Sequence, residues 1–394
     1  MRQLIASVLL LVFTLPCFGG LTEGLSLPEA RKLHEFKKHN LGLMDLSSDG
    51  RLLLMHQKLR PRDRVKGTGN HRLRVIEASS LKEKAVIELE SAQPYMLFRP
   101  GSHEVLLNGE LKEPAEVGCF LWDVDSGTVH KDATLTRANL SFVQFVGHDQ
   151  LLGLSPASAD SASRHFVLYD FRQTSLTRFE VTAEERQFLK WDGLSFSPDF
   201  RTLIGQRYSK PTILTLRELG KPSSGREVEM SHGYPARCVY SPDGRFLIIV
   251  SNATGKDSRP IRLGESYLNV YDAKTLELKK SQQILTRELA ESWVLHVGSQ
   301  MAFSPNGRWL VVGYDRYTEK LLGFISYLQA TYAILEFPSL APVAYAEHPQ
   351  IRTSYEWADI SSAQSGRLRF DTNSSAFYST AKYTIHWSVP EPRH

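Results

Sequence analysis

The stretch YSPDGRFLIIVSN, residues 240–252, sets four residues of turn chemistry between two apolar runs, and FSPNGRWLVVGYD at 303–315 nearly copies it. Ser-Pro-Asp-Gly fits a type I turn, with Ser first, Pro second and a fourth-position Gly free to adopt the left-handed conformation. Close relatives are LSSDGRLLLM (46–55) and FSPDFRTLIG (196–205). Degenerate versions are FRPGSHEVLL (98–107), FVGHDQLLGL (145–154) and FDTNSSAFYS (370–379), so the hairpin is written seven times. An alternating strand that ends in an acid and a turn follows six of them, the acids being Glu77, Asp123, Asp170, Glu218, Asp272 and Glu336. One more strand-like run comes next, as in KAVIELE (84–90) and PVAYAEH (342–348). Four short antiparallel strands per unit cannot bury both sheet faces alone, whereas radial stacking buries them and leaves only short edges. The expected fold is all-β: a single seven-bladed β-propeller of four-stranded antiparallel blades over residues 30–394.

These SPDGR hairpins resemble those of bacterial propellers of the WD40-like and TolB type, and the resemblance covers nearly the whole chain after residue 30. It implies the propeller fold and leaves function open. The Gly-His pair of true WD40 repeats is missing before the inner strands, because Gly147–His148 falls in a hairpin turn. Trp-Asp occurs once, at Trp122–Asp123. The last repeat, YTIHWSV (383–389), ends after its third strand. The missing outer strand is expected from ARKLHEFKKH (30–39), which would close the ring; the alternative is an open six-blade array with a frayed tail.

The first residues read as an address rather than as fold. Arg2 precedes the apolar run LIASVLLLVFTLP (4–16), which is short for a bilayer span, and small residues follow near Gly19 and Gly20. Residues 1–19 are therefore expected to be a signal peptide and 20–29 a linker, with export to the periplasm or beyond the cell. Lipidation at Cys17 is the weaker alternative, since Pro16 precedes it. Cys119 and Cys238 lie in apolar runs and are expected to be buried free thiols. A formal charge of +4 on 394 residues does not suggest a nucleic-acid binder. No further apolar stretch is long enough for a transmembrane segment, and the chain is read as a monomer.

In this topology the connections between second and third strands share the top face with those between blades. Three are long: 58–72, 253–266 and 316–330. Long connections in compact domains carry function or are disordered. The first is basic, with Lys58, Arg60, Arg62, Arg64, Lys66 and Arg72, and the second adds Lys256, Arg259 and Arg262. Such clusters suit a small anionic ligand or an acidic protein surface, or else merely solvate the loop. In the third, Leu321, Phe324, Ile325 and Leu328 have helical spacing, which predicts a docking helix with Tyr327 beside it, or a lid packed on its own propeller. Aromatics, Trp191 and Trp293 among them, precede several inner strands and can line the channel mouth or pack between blades.

No His-Glu-x-x-His, Cys-x-x-Cys-His or Gly-x-Ser-x-Gly motif is present. The leading expectation is an exported non-enzymatic scaffold that binds a protein partner or small anionic ligand through its top face, with no cofactor, metal or catalytic residue assigned. The alternative is a metal-dependent hydrolase or lactonase whose ligands converge at the channel mouth. A third reading is a small-ligand sensor with an aromatic cavity.

Overall fold

The structure, a computed structural model, describes residues 29–36, 41–59, 70–113, 115–140, 142–155, 165–180, 195–199, 201–207, 213–218, 221–230, 234–252, 261–262, 266–283, 293–320, 325–348, 351–352, 368–380 and 384–389. The repeated turn explains itself in hydrogen bonds. The hydroxyls of Ser47, Ser197 and Ser241 each donate to the Asp two residues on at 2.6 Å, and Ser304 donates to Asn306 at 2.7 Å. The same hydroxyls accept from the backbone N–H of Leu52, Thr202, Phe246 and Trp309 at 2.9–3.0 Å. The acid or amide oxygen accepts the N–H of Arg51, Arg201, Arg245 or Arg308 at 3.0–3.1 Å. A short side chain that satisfies the turn's own backbone is why Ser and Asp recur here. Gly244 has φ +70, and a Cβ there would lie 3.5 Å from Cδ of Pro198 in the preceding turn, so successive turns abut.

The third-strand acids are structural, as their strand position predicts. Asp123 accepts the N–H groups of Asp125 and Ser126, Asp170 those of Arg172 and Gln173, and Asp272 those of Lys274 and Thr275. Hydrogen bonds from Ser126, Gln173 and Thr275 hold these three carboxyls below the ordinary aspartate range. Glu77 accepts from Ser80, while Glu218 and Glu336 pair with Lys221 and Arg308. All six therefore spend their charge on turns and cross-strand pairs.

The strands form small antiparallel sheets in a β-propeller arrangement, and the one α-helix among the described residues is Ala133–Ala138. Hydrogen bonding groups them into six sheets, not seven separate ones. The first sheet holds seven strands between Leu41 and Asp132, because Glu83–Phe98 is continuous. One end of that strand pairs with His71–Glu77 and the other with Glu104–Leu111. Three four-stranded sheets follow, over 142–180, 195–229 and 234–283. The fifth sheet is enlarged to six strands. In the closing sheet, Arg369–Phe370, Ala376–Thr380 and Thr384–Ser388 are completed by the N-terminal strand Lys32–Phe36, as ring closure requires.

Apolar clusters fill the gaps between successive sheets. Leu106 and Cys119 of the first meet Leu151 and Tyr169 of the second, and Leu152 and Phe166 meet Phe196 and Leu203 of the third. Ile204 meets Leu247 and Ile249 of the fourth, and Ile248 and Val250 meet Leu310 and Val312 of the fifth. Val311 and Ile334 meet Phe377 and Trp387 of the closing sheet, whose Phe36 and Tyr378 return to Leu43, Leu53 and Met55 of the first. Another cluster packs the two halves of the first sheet, Leu54 and Leu73 against Leu107 and Phe120. Asp45 adds a polar tie at the closure. One carboxylate oxygen accepts Arg369 Nε at 3.0 Å and the other accepts the Phe98 N–H at 2.9 Å. Cys119 and Cys238 are buried free thiols, and burial beside Asp132 pushes the Cys119 thiol up to about 12.

Gly244→Val forces a β-branched side chain into the left-handed region and is expected to cost about 1–2 kcal/mol. Urea denaturation reads it, and a variant with the parent midpoint would contradict the turn assignment.

Candidate functional site

The fifth sheet departs from the pattern of the others. Its second and third strands, Trp309–Lys320 and Ile325–Glu336, stay in register from Trp309↔Glu336 to Lys320↔Ile325. The fourth strand, Ala341–Glu347, pairs only as far as Thr331. Six further pairs, Asp315↔Ala330 to Lys320↔Ile325, therefore extend beyond it, about 20 Å of strand at the usual rise. This corrects the helical reading of 321–328: Ile325 and Leu328 lie on a strand. Leu321 and Phe324 lie outside the described residues, and the cross-strand ladder between Trp309–Lys320 and Ile325–Glu336 gives the backbone at Ile325 and Leu328 its partners.

Segments from neighbouring connections add to this extension. Ile261–Arg262, inside the supposed 253–266 loop, pairs with Val294 and Trp293. Ile351–Arg352 pairs with Leu328 and Tyr327 on the other side. Trp293 in turn pairs in register with Tyr317, and Tyr317 with Leu328. The result is a five-stranded crown in the order 261–262, 293–294, 316–317, 327–328, 351–352. One row of register partners across it reads Arg262, Trp293, Tyr317, Leu328 and Ile351.

The crown thus gathers three of the residues nominated from sequence, Arg262, Trp293 and Tyr327. Arg60, Arg62, Arg64, Lys66, Arg259, Trp191 and Phe324 lie outside the described residues. Arg72 is placed on the strand His71–Glu77, not in a loop. Its Nη2 pairs with Glu88 at 2.5 Å, and Lys112 approaches the other Glu88 oxygen at 3.5 Å. Arg72 therefore enters any anion site with its charge already offset.

The foot of the crown is anchored in the closing sheet, a connection no sequence motif announced. Gln329 Nε2 donates to the His348 carbonyl at 3.0 Å, and the His348 N–H donates to the Ala330 carbonyl at 2.9 Å. The His348 ring, 1% exposed, meets Ser379 Oγ through Nε2 at 2.8 Å, and Trp387 Nε1 donates to the same hydroxyl at 2.9 Å. Burial, with Lys32 nearby, lowers the His348 imidazole to about 3, so it sits neutral in this network. The one available signal was a histidine directly after a fourth strand.

Among the described residues no helix is long and apolar enough to cross a membrane, and no three His, Cys, Asp or Glu side chains are grouped so as to hold a metal. No protein-family model matches the chain, and no curated protein matches it.

A neutral buried His348 makes folding sensitive to acid. The unfolded chain takes up its proton below about pH 6.5 while the folded chain refuses it until about pH 3. Stability should therefore fall across that window, by roughly 2 kcal/mol from this group at pH 5. Urea melts at pH 7 and pH 5 test it: His348→Gln should show a shallower loss than the parent, and equal losses would contradict the assignment.

Proposed function

We propose that this protein is an exported, non-catalytic β-propeller scaffold that holds a protein partner or a small anionic ligand on its top face, with the crown as the contact surface. The observation that carries this reading is the crown itself. Three separate top-face connections contribute strands to one sheet beyond the body of the propeller, an elaboration that ring packing does not require. Arg, Trp and Tyr, the residues enriched at the energetic centres of interfaces, stand in its rows at positions 262, 293, 317 and 327.

The same reading takes the ring as seven-bladed. Support comes from the two-sided pairing of Glu83–Phe98, which makes the first sheet two four-stranded units sharing one strand. With the other five sheets this gives seven units, matching the seven hairpins of the sequence. On this reading the chain is one of the SPDGR-repeat propellers of WD40-like and TolB type, directed to the periplasm or the exterior by residues 1–19, and acts as a monomer.

The test removes the crown and spares the ring. Residues 316–329 are replaced by Asn-Gly, the favoured two-residue hairpin turn, and parent and variant are immobilised as bait for envelope extract. The variant should keep the parent's melting temperature to within a few degrees and lose the parent's captured partner. Capture of the same partner by both would overturn the assignment of the crown as the contact surface.

A further inference from the structure

The first sheet carries a charge cluster that neither ring packing nor the crown explains. His103, in the turn after Glu83–Phe98, touches two carboxylates from different turns. Its Nδ1 lies 2.8 Å from Asp125 and its Nε2 lies 3.1 Å from Asp49. Asp49 belongs to the first SPDG-type turn and Asp125 to the turn after Glu116–Asp123, so one imidazole spans the two halves of the sheet. Asp49 also accepts from Ser47 and from the Arg51 N–H. Lys84 holds the other Asp125 oxygen at 2.5 Å. The Gly101 N–H donates to Ser48 Oγ at 2.8 Å, tying the same two turns. On its far side the His103 turn reaches the second sheet, where Arg99 pairs with Asp149 at 2.8 Å as well as with its own neighbour Glu104.

We propose that His103 is a proton-operated clasp that locks the 47–51 turn to the second half of the first sheet and opens when its proton is lost. Both ring nitrogens can donate only in the imidazolium form; neutral imidazole has one N–H and one lone pair. Deprotonation must therefore turn a lone pair toward one carboxylate. Asp125 keeps Lys84, and its contact with the ring is the shorter one, so the contact that fails is Asp49 to Nε2. The charged groups around the ring are Asp49 and Arg51 from one turn, Asp125 from another and Lys84 from the long strand, with Arg51 3.7 Å from Asp49. Partial burial disfavours charge on His103, but its hydrogen bonds to Asp49 and Asp125 outweigh this and raise it above the ordinary 6.5. The clasp's contribution is thus complete below about pH 6.5 and is lost as pH rises through the raised value.

Urea unfolding of the full mature chain at pH 6.0 and pH 8.5, beside His103→Gln, tests the clasp independently of the proposed function. The parent should lose about two- to fivefold more of its folding equilibrium constant across that interval than the variant, the range expected of a part-exposed ion pair. Equal losses in the two proteins would overturn the proposal. Should His103→Gln fail to fold, proton NMR titration of His103 in the parent decides instead. A midpoint above 6.5 supports the clasp and one at or below 6.5 overturns it.

Discussion

Lys32–Phe36 pairs antiparallel with Thr384–Ser388, so the first described strand completes a sheet whose other strands come last in the chain. Bringing ends some 350 residues apart together costs roughly 5 kcal/mol in chain entropy. The gains that offset it are visible at the seam. Phe36 is buried against Leu43, Leu53, Met55 and Tyr378, and Ala30 against the fifth sheet, where its N–H also donates to the Tyr345 carbonyl. Buried aromatic and aliphatic side chains contribute about 1.5–3 kcal/mol each. Asp45 then joins the first strands on both sides of the seam through Arg369 and the Phe98 backbone.

The crown stands beside that closure. It grows from the fifth sheet, and its foot is tied through Gln329 and His348 to Ser379 and Trp387 of the closing sheet. The charge cluster at His103 and the ion pair of Asp45 with Arg369 both involve the first sheet, whereas the buried network of His348, Ser379 and Trp387 joins the fifth and closing sheets.

The fold was legible because its information is local. Ser47, Ser197, Ser241 and Ser304 each write one turn in five residues, and the capping acids mark the strands that follow. The need of the last repeat for a fourth strand pointed to residues 30–39. What stayed illegible is whatever pairing decides at a distance. Leu321, Phe324, Ile325 and Leu328 have helical spacing, but the twelve-residue register with Trp309–Lys320 makes Ile325 and Leu328 strand residues. Ile261–Arg262 is too short to be read as a strand without its partner at 293–294. The continuity of Glu83–Phe98 hid a sheet boundary that repeat counting had assumed. His103 and His348 stood out in no motif, because their partners come from turns and strands tens of residues away.

The N-terminal strand Lys32–Phe36 is an integral stave of the ring, pairing with the last strand of the closing sheet. Native-state hydrogen exchange of the protein measures this most directly. If the account is right, the strand amides of 32–36 that pair with 384–388 exchange only through global unfolding, with the same denaturant dependence as those of Phe246–Asn252 in the fourth sheet. Exchange of 32–36 by local opening, while the fourth sheet stays protected, would show that the ring stands without its first strand and would contradict the account.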